Sequence, residues 1–323
     1  MPDDPNAQPY AASAASASAP PPLPPKTRPP VQDRTGLAIL LMCLVSFIFA
    51  LQDGFSRVLA ENYPPVLVVM LRYWVFAVFV IALVARQPGG LKRAVRTKRP
   101  ITQIIRGVVL VVEVLIMVEA FVRLGLVETH AVFIVYPLLV AALSGPILGE
   151  KVGWRRWTAI LIGFAGILVV LNPGSGVMRM DALLPFVAAL MFALYGLLPR
   201  HVSRADPSVV SFFWPGIAGA VALTLVGIWE WQWLTPLDWV WMAGLCACGM
   251  TSHYLLIRAY EMAEASALQP FAYTQLGWVS ILGVVLFSEV LRPNVIVGAG
   301  IVVAAGLFTL WRTRQKSGRG RRA

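Results

Sequence analysis

From residue 35 onward the chain alternates long apolar runs with short polar connections. The runs fall at about 37–57, 64–85, 101–123, 127–148, 154–172, 181–199, 208–229, 236–259, 265–288 and 294–312, each close to the ~20 residues that cross a bilayer as a helix. The pattern predicts ten membrane-spanning helices, with both chain ends on the same side. Residues 1–34 read as a disordered Ala/Ser/Pro-rich tail, AASAASASAPPPLPP at its centre, and 313–323 as a short basic tail.

Two of the apolar hairpins share one plan. Ala120 to Glu150 and Ala259 to Glu289 each run 31 residues from Ala-aromatic to glutamate and align without a gap at an offset of 139. The identities are Ala120/Ala259, Val140/Val279, Leu143/Leu282 and Glu150/Glu289. Ten spans then divide into two repeats, 36–172 and 181–312. A repeat with an odd number of spans enters the membrane upside down relative to its partner.

Composition supports a bilayer partner, with 58% hydrophobic and 13% charged residues against roughly 25% charged in soluble domains. The net charge of +11 would suggest nucleic acid in a soluble protein, but the cations lie between and beyond the apolar runs, so no nucleic-acid partner is expected. With the N-terminus inside, 21 lysines and arginines fall in inside segments and four outside. That bias predicts both termini in the cytoplasm. Cys43, Cys246 and Cys248 all lie within apolar runs and read as packing residues. No metal or other cofactor is expected, and the usual hydrolase, kinase and metalloprotease motifs do not occur, which argues against an enzyme.

Intramembrane polar residues are costly, so each is a candidate for a cavity or a partner. Gln52, Asp53 and Arg57 lie toward the outer end of span 1, where Asp53 and Arg57 are spaced to pair on one helical face. Glu113 is mid-span 3, about 120° around the helix from Glu119, and is the better candidate by depth for a coupling-proton acceptor, or else a partner of Arg72 or Arg106. His130 and His253 could titrate near neutral pH, although a lone buried histidine is more often a packing residue. Gln269, Tyr273 and Gln275 in span 9, with Tyr136, Tyr195 and Tyr254, complete the candidate substrate-binding set. Their rings and amides suit a planar, hydrogen-bonding solute. Trp229, Trp231, Trp233, Trp239 and Trp241 read instead as an interfacial belt. Small residues four apart, at Ala159/Gly163, Gly216/Ala220 and Gly300/Ala304, mark places where helices could approach closely.

Residues 36–312 resemble the ten-helix, EamA-type branch of the drug/metabolite transporter superfamily. The matching residues in the first half are Arg72-Tyr73, Arg106-Gly107, Ala120-Phe121, Pro137, Gly149-Glu150 and Gly163/Gly166. In the second half they are Ala259-Tyr260, the QPFAYTQL run from Gln269 to Leu276, Phe287-Ser288-Glu289, Gly298 and Gly306. Pro137 and Pro270 are not at equivalent positions, and Glu113 and Glu119 depart from the family pattern. The resemblance implies an all-α secondary carrier of a bacterial inner membrane, working by alternating access around a cavity lined by spans 1, 3, 4, 6, 8 and 9. Members import S-adenosylmethionine or riboflavin, or export amino acids and drugs. The rings and amides favour a riboflavin-like solute, with S-adenosylmethionine or an amino acid or drug as alternatives. A non-transporting scaffold is less favoured, and a homodimer is left open.

Overall fold

In a bilayer every backbone N–H and C=O must find a partner within the protein, and apolar runs of this length do so as helices. The computed structural model describes residues 35–87, 89–149, 153–171, 180–202, 208–263 and 265–320, and among them there is no strand. The first half comprises α1 (Thr35–Ala60), α2 (Pro65–Ala85), a short α3 (Gly90–Val95), α4 (Pro100–Leu124), α5 (Leu126–Phe133), α6 (Tyr136–Leu148) and α7 (Trp154–Leu171). The second comprises α8 (Leu183–Val202), α9 (Ser208–Gly227), α10 (Pro236–Met262), α11 (Ala265–Ala272), α12 (Thr274–Phe287) and α13 (Pro293–Gly320). Nine crossings among the described residues are long and apolar enough to span a membrane. The tenth is α4, 25 residues long, which carries Arg106, Glu113, Glu119 and Arg123.

Spans 4 and 9 are not the continuous helices their hydropathy suggests. Each is broken mid-way, α5 from α6 and α11 from α12, and the breaks obey the 139-residue offset: Leu126–Phe133 maps onto Ala265–Ala272. The starts of α7 and α13, at Trp154 and Pro293, and the ends of α6 and α12, at Leu148 and Phe287, are also 139 apart. Gly149 and Ser288, again equivalent, close α6 and α12 in the left-handed conformation with φ of 71° and 52°. The repeat is therefore carried by the backbone, although few side chains are shared. Glu150 lies outside the described residues.

Packing follows the same symmetry. α1 lies on α10 and α12, while its counterpart α8 lies on α4 and α6. α2 packs on α9 and α7 on α13, each helix on its own counterpart. The molecule is thus an all-α membrane protein of two inverted five-span repeats, joined along these lines.

The contact of α7 with α13 uses glycines other than the expected Gly300/Ala304 pair. A Cβ at Gly298 would fall 2.5 Å from the Gly166 carbonyl oxygen, and one at Gly166 would fall 2.9 Å from that of Gly298, whereas Gly300 faces open space. Asn294 adds a hydrogen bond from Nδ2 to the Val170 carbonyl at 2.9 Å. Overpacking typically costs about 1–3 kcal/mol, so Gly298→Ala should lower thermal stability in detergent by about that amount. Gly300→Ala should stay within about 0.5 kcal/mol of the parent. Equal melting temperatures for the two variants would contradict the close backbone contact.

Candidate functional site

The two helix breaks meet at a cavity. It is lined by His130, Phe133, Ile134, Tyr136 and Pro137 from the first repeat and by Gln269, Ala272, Tyr273, Gln275 and Leu276 from the second. At the offset of 139 these ten residues form five equivalent pairs: His130/Gln269, Phe133/Ala272, Ile134/Tyr273, Tyr136/Gln275 and Pro137/Leu276. The cavity therefore straddles the pseudo-two-fold axis, beside the interruptions in the two spans.

Local sequence explains the breaks only in part. Pro137, at the start of α6, has no N–H to bond the Phe133 carbonyl, so α5 stops there. Pro270 lies inside α11, three residues before the break at Tyr273, so the second break does not sit on its proline.

In this conformation the cavity is about 50 Å³. A single water needs roughly 10–15 Å³, and pockets for drug-sized ligands run to roughly 300–1,000 Å³. The broken spans must part before a metabolite can enter.

Behind the lining stands Asp53 of α1. Its Oδ2 is 3.0 Å from His130 Nε2 and accepts from Gln275 Nε2 at 3.1 Å. One carboxylate thus ties α1 to both broken spans. The His130 ring packs against Phe121 and Phe133, with centroids at 5.4 and 6.3 Å. The expected pairing of Asp53 with Arg57 is not formed, because each finds tertiary partners instead.

Arg57, one turn further along α1, pairs with Glu289 and with Glu61, and its guanidinium lies 4.1 Å above the Phe287 ring. Glu289 also accepts from the backbone N–H groups of Leu126 (2.7 Å) and Val127 (2.9 Å) at the start of α5. A carboxylate at a helix N-terminus satisfies donors that have no intrahelical acceptor. Gly125, with φ of 86°, is required there, since a Cβ would lie 2.7 Å from Glu289 Oε1.

Other candidates are placed elsewhere. Gln52 is buried, its Oε1 without a hydrogen-bond partner, facing Gly249 of α10. Glu113 is 5% exposed and is not part of the cavity lining; the charges of Arg72 and Asp53 reach it. Tyr195 lies under Arg106, whose guanidinium is 5.2 Å from its ring, and connects through Phe192 to Tyr136. His253 Nδ1 is 2.7 Å from the Gly249 carbonyl, with the ring between Phe49 and Phe76, which is a packing arrangement. Tyr254 is 41% exposed and accepts a hydrogen bond from Arg258 Nε, away from the cavity. Glu119 pairs with Arg123, which also reaches Asp181, at the surface.

The tryptophan belt holds in part. Trp229, Trp233 and Trp239 are exposed, whereas Trp231 stacks on Trp74 and Trp241 packs against Phe55.

Phe133 and Ile134, both in the lining, lacked any polar signal in the sequence. His130 carried a signal that the prevalence of packing histidines outweighed.

Residues 36–172 and 179–311 match the model of the EamA-like transporter family. A riboflavin transporter of Vibrio cholerae is 28% identical over 283 residues, 85% of this chain and 94% of that protein. An S-adenosylmethionine uptake transporter of Rickettsia felis is 24% identical over 287 residues, 88% of this chain and 95% of its own length. One solved crystal structure superposes with a TM-score of 0.58 at 18% identity, covering 84% of this chain and 95% of that one, and supports the fold alone.

Removing one member of a buried ion pair costs about 3–5 kcal/mol, and the Arg57 and Glu289 side chains are only 13% and 12% exposed. Glu289→Ala should therefore lower stability by an amount in that range, read by thermal unfolding of the purified protein. A loss under about 1 kcal/mol would show that the pair and the α5 cap contribute little.

Proposed function

Because the chain belongs to the EamA-like transporter family, we propose that it is a secondary carrier for a planar heterocyclic metabolite, riboflavin-like. It acts by alternating access in a bacterial inner membrane with both termini cytoplasmic. The observation that carries this reading is the cavity on the pseudo-two-fold axis, built from five pairs of equivalent residues on two broken spans. Inverted repeats meeting at interrupted helices can expose one site to either side by exchanging the conformations of their halves.

The lining supports this solute class. Phe133, Tyr136 and Tyr273 offer ring faces, while Gln269, Gln275 and His130 offer hydrogen-bonding groups. Of the residues first considered for binding, Tyr136, Gln269, Tyr273 and Gln275 would touch the solute, with Asp53 close behind. The relatives named for riboflavin and S-adenosylmethionine support two readings of one chemistry, a flat heterocycle with a polar extension. Uptake of S-adenosylmethionine is therefore the second reading, favoured by the carboxylate of Asp53.

Growth rescue tests both. A bacterial strain unable to make or import riboflavin, and another unable to make or import S-adenosylmethionine, each receive the gene on a plasmid. Growth of the first on micromolar riboflavin is the expected result. Rescue of the second strain alone would move the substrate to S-adenosylmethionine, and failure of both would rule out uptake of either compound.

A further inference from the structure

The two repeats are alike in backbone but opposite in chemistry beside the cavity. Asp53 lies on α1 of the first repeat and Phe192 on α8, the equivalent helix of the second. Each touches the same member of a lining pair in the other half. Asp53 accepts from Gln275 Nε2 at 3.1 Å, and Phe192 meets Tyr136, the counterpart of Gln275, edge-to-face at 4.9 Å. Phe192 also packs on Phe133 at 5.6 Å, giving a cluster of three rings. Across the axis, Asp53, His130 and Gln275 form a cluster around one carboxylate.

We propose, building on the carrier reading above, that the site is two-ended and selects solutes by both ends at once. It takes a planar aromatic ring against Phe133, Tyr136 and Phe192, joined to a cationic or hydrogen-bond-donating substituent directed at Asp53.

The chemistry of each end supports this assignment. His130 is the one group within ion-pair distance of Asp53 among the described residues. Glu113 lies near enough for its charge to be felt, and it answers to Arg72 as well. A carboxylate whose partners are an imidazole and an amide can exchange those bonds for stronger, charge-assisted ones to a solute. At the other end, three rings provide contact area and edge-to-face geometry but no charge, which suits an uncharged planar ring. A ring alone leaves the carboxylate end without its partner, and a cation alone leaves the aromatic end empty.

Counterflow into proteoliposomes containing the purified full chain tests the proposal with four probes. Riboflavin and S-adenosylmethionine have both ends, lumichrome has the ring without the donor chain, and choline has a cation without a ring. Riboflavin or S-adenosylmethionine should exchange, and lumichrome and choline should compete at least tenfold more weakly. Asp53→Asn should weaken S-adenosylmethionine about tenfold or more, in line with loss of a charge-assisted hydrogen bond, and riboflavin by less. Phe192→Leu, a substitution that keeps most of the volume, should weaken both. Variants are compared only after eluting as single species with wild-type melting behaviour, and Asp53→Glu serves as the charge-retaining control where Asp53→Asn fails that criterion.

Lumichrome competing as well as riboflavin, or both substitutions leaving both solutes within twofold, would overturn the two-ended site while the carrier of planar metabolites stands. Exchange of choline with no exchange of any ring compound would remove the planar-metabolite reading, and the two-ended site with it. Exchange of no probe at all would remove both.

Discussion

The carboxylate of Glu289 joins three elements at a single point. It is presented by a left-handed turn at Ser288, accepts from the first N–H groups of α5, and faces Arg57 of α1. Inside a membrane the free donors at the start of a half-helix have no water to bond, and a negative group is the partner their dipole favours. Fixing the start of α5 fixes the far end of this eight-residue helix, which is the first wall of the cavity. The same residue pins α1 one turn beyond Asp53, whose carboxylate reaches both broken spans. α1 is thereby bound to both broken spans at two levels.

The breaks in spans 4 and 9 show which features the fold preserves between repeats. The prolines beside them are not equivalent, and only Pro137 sits on its break. Yet both breaks fall at the same repeat position, and the ten cavity residues pair off completely at the same offset. Backbone interruption, more than any particular side chain, is what the two halves share. Side chains have since diverged, His130 against Gln269 and Tyr136 against Gln275, so a symmetric frame surrounds an asymmetric interior.

Span number, the repeat offset and the inverted architecture were legible in the sequence because they depend on run lengths and charge placement. The broken spans were not, since a helix and two half-helices have the same hydropathy. The i,i+4 spacing of Asp53 and Arg57 suggested a local pair, but such pairs are worth only a few tenths of a kcal/mol and gave way to tertiary partners. Tyr254 and His253 could not be separated from Tyr273 by pattern, because α10 is apolar around most of its circumference and its sequence carries little information about which side faces the interior. Gln275, by contrast, reached the cavity as its residue type suggested. Phe133 and Ile134 were silent, since an apolar lining residue looks like any other apolar residue in a span.

The contact between Gly166 and Gly298 has a mechanical corollary. The backbones touch there while Val170 of α7 fits against Gly298 and Ile301 and Val302 of α13 fit against Gly166, so the pair is keyed against rolling as well as against separation. α7 and α13 therefore behave as one double-stranded strut that clasps the two halves of the bundle.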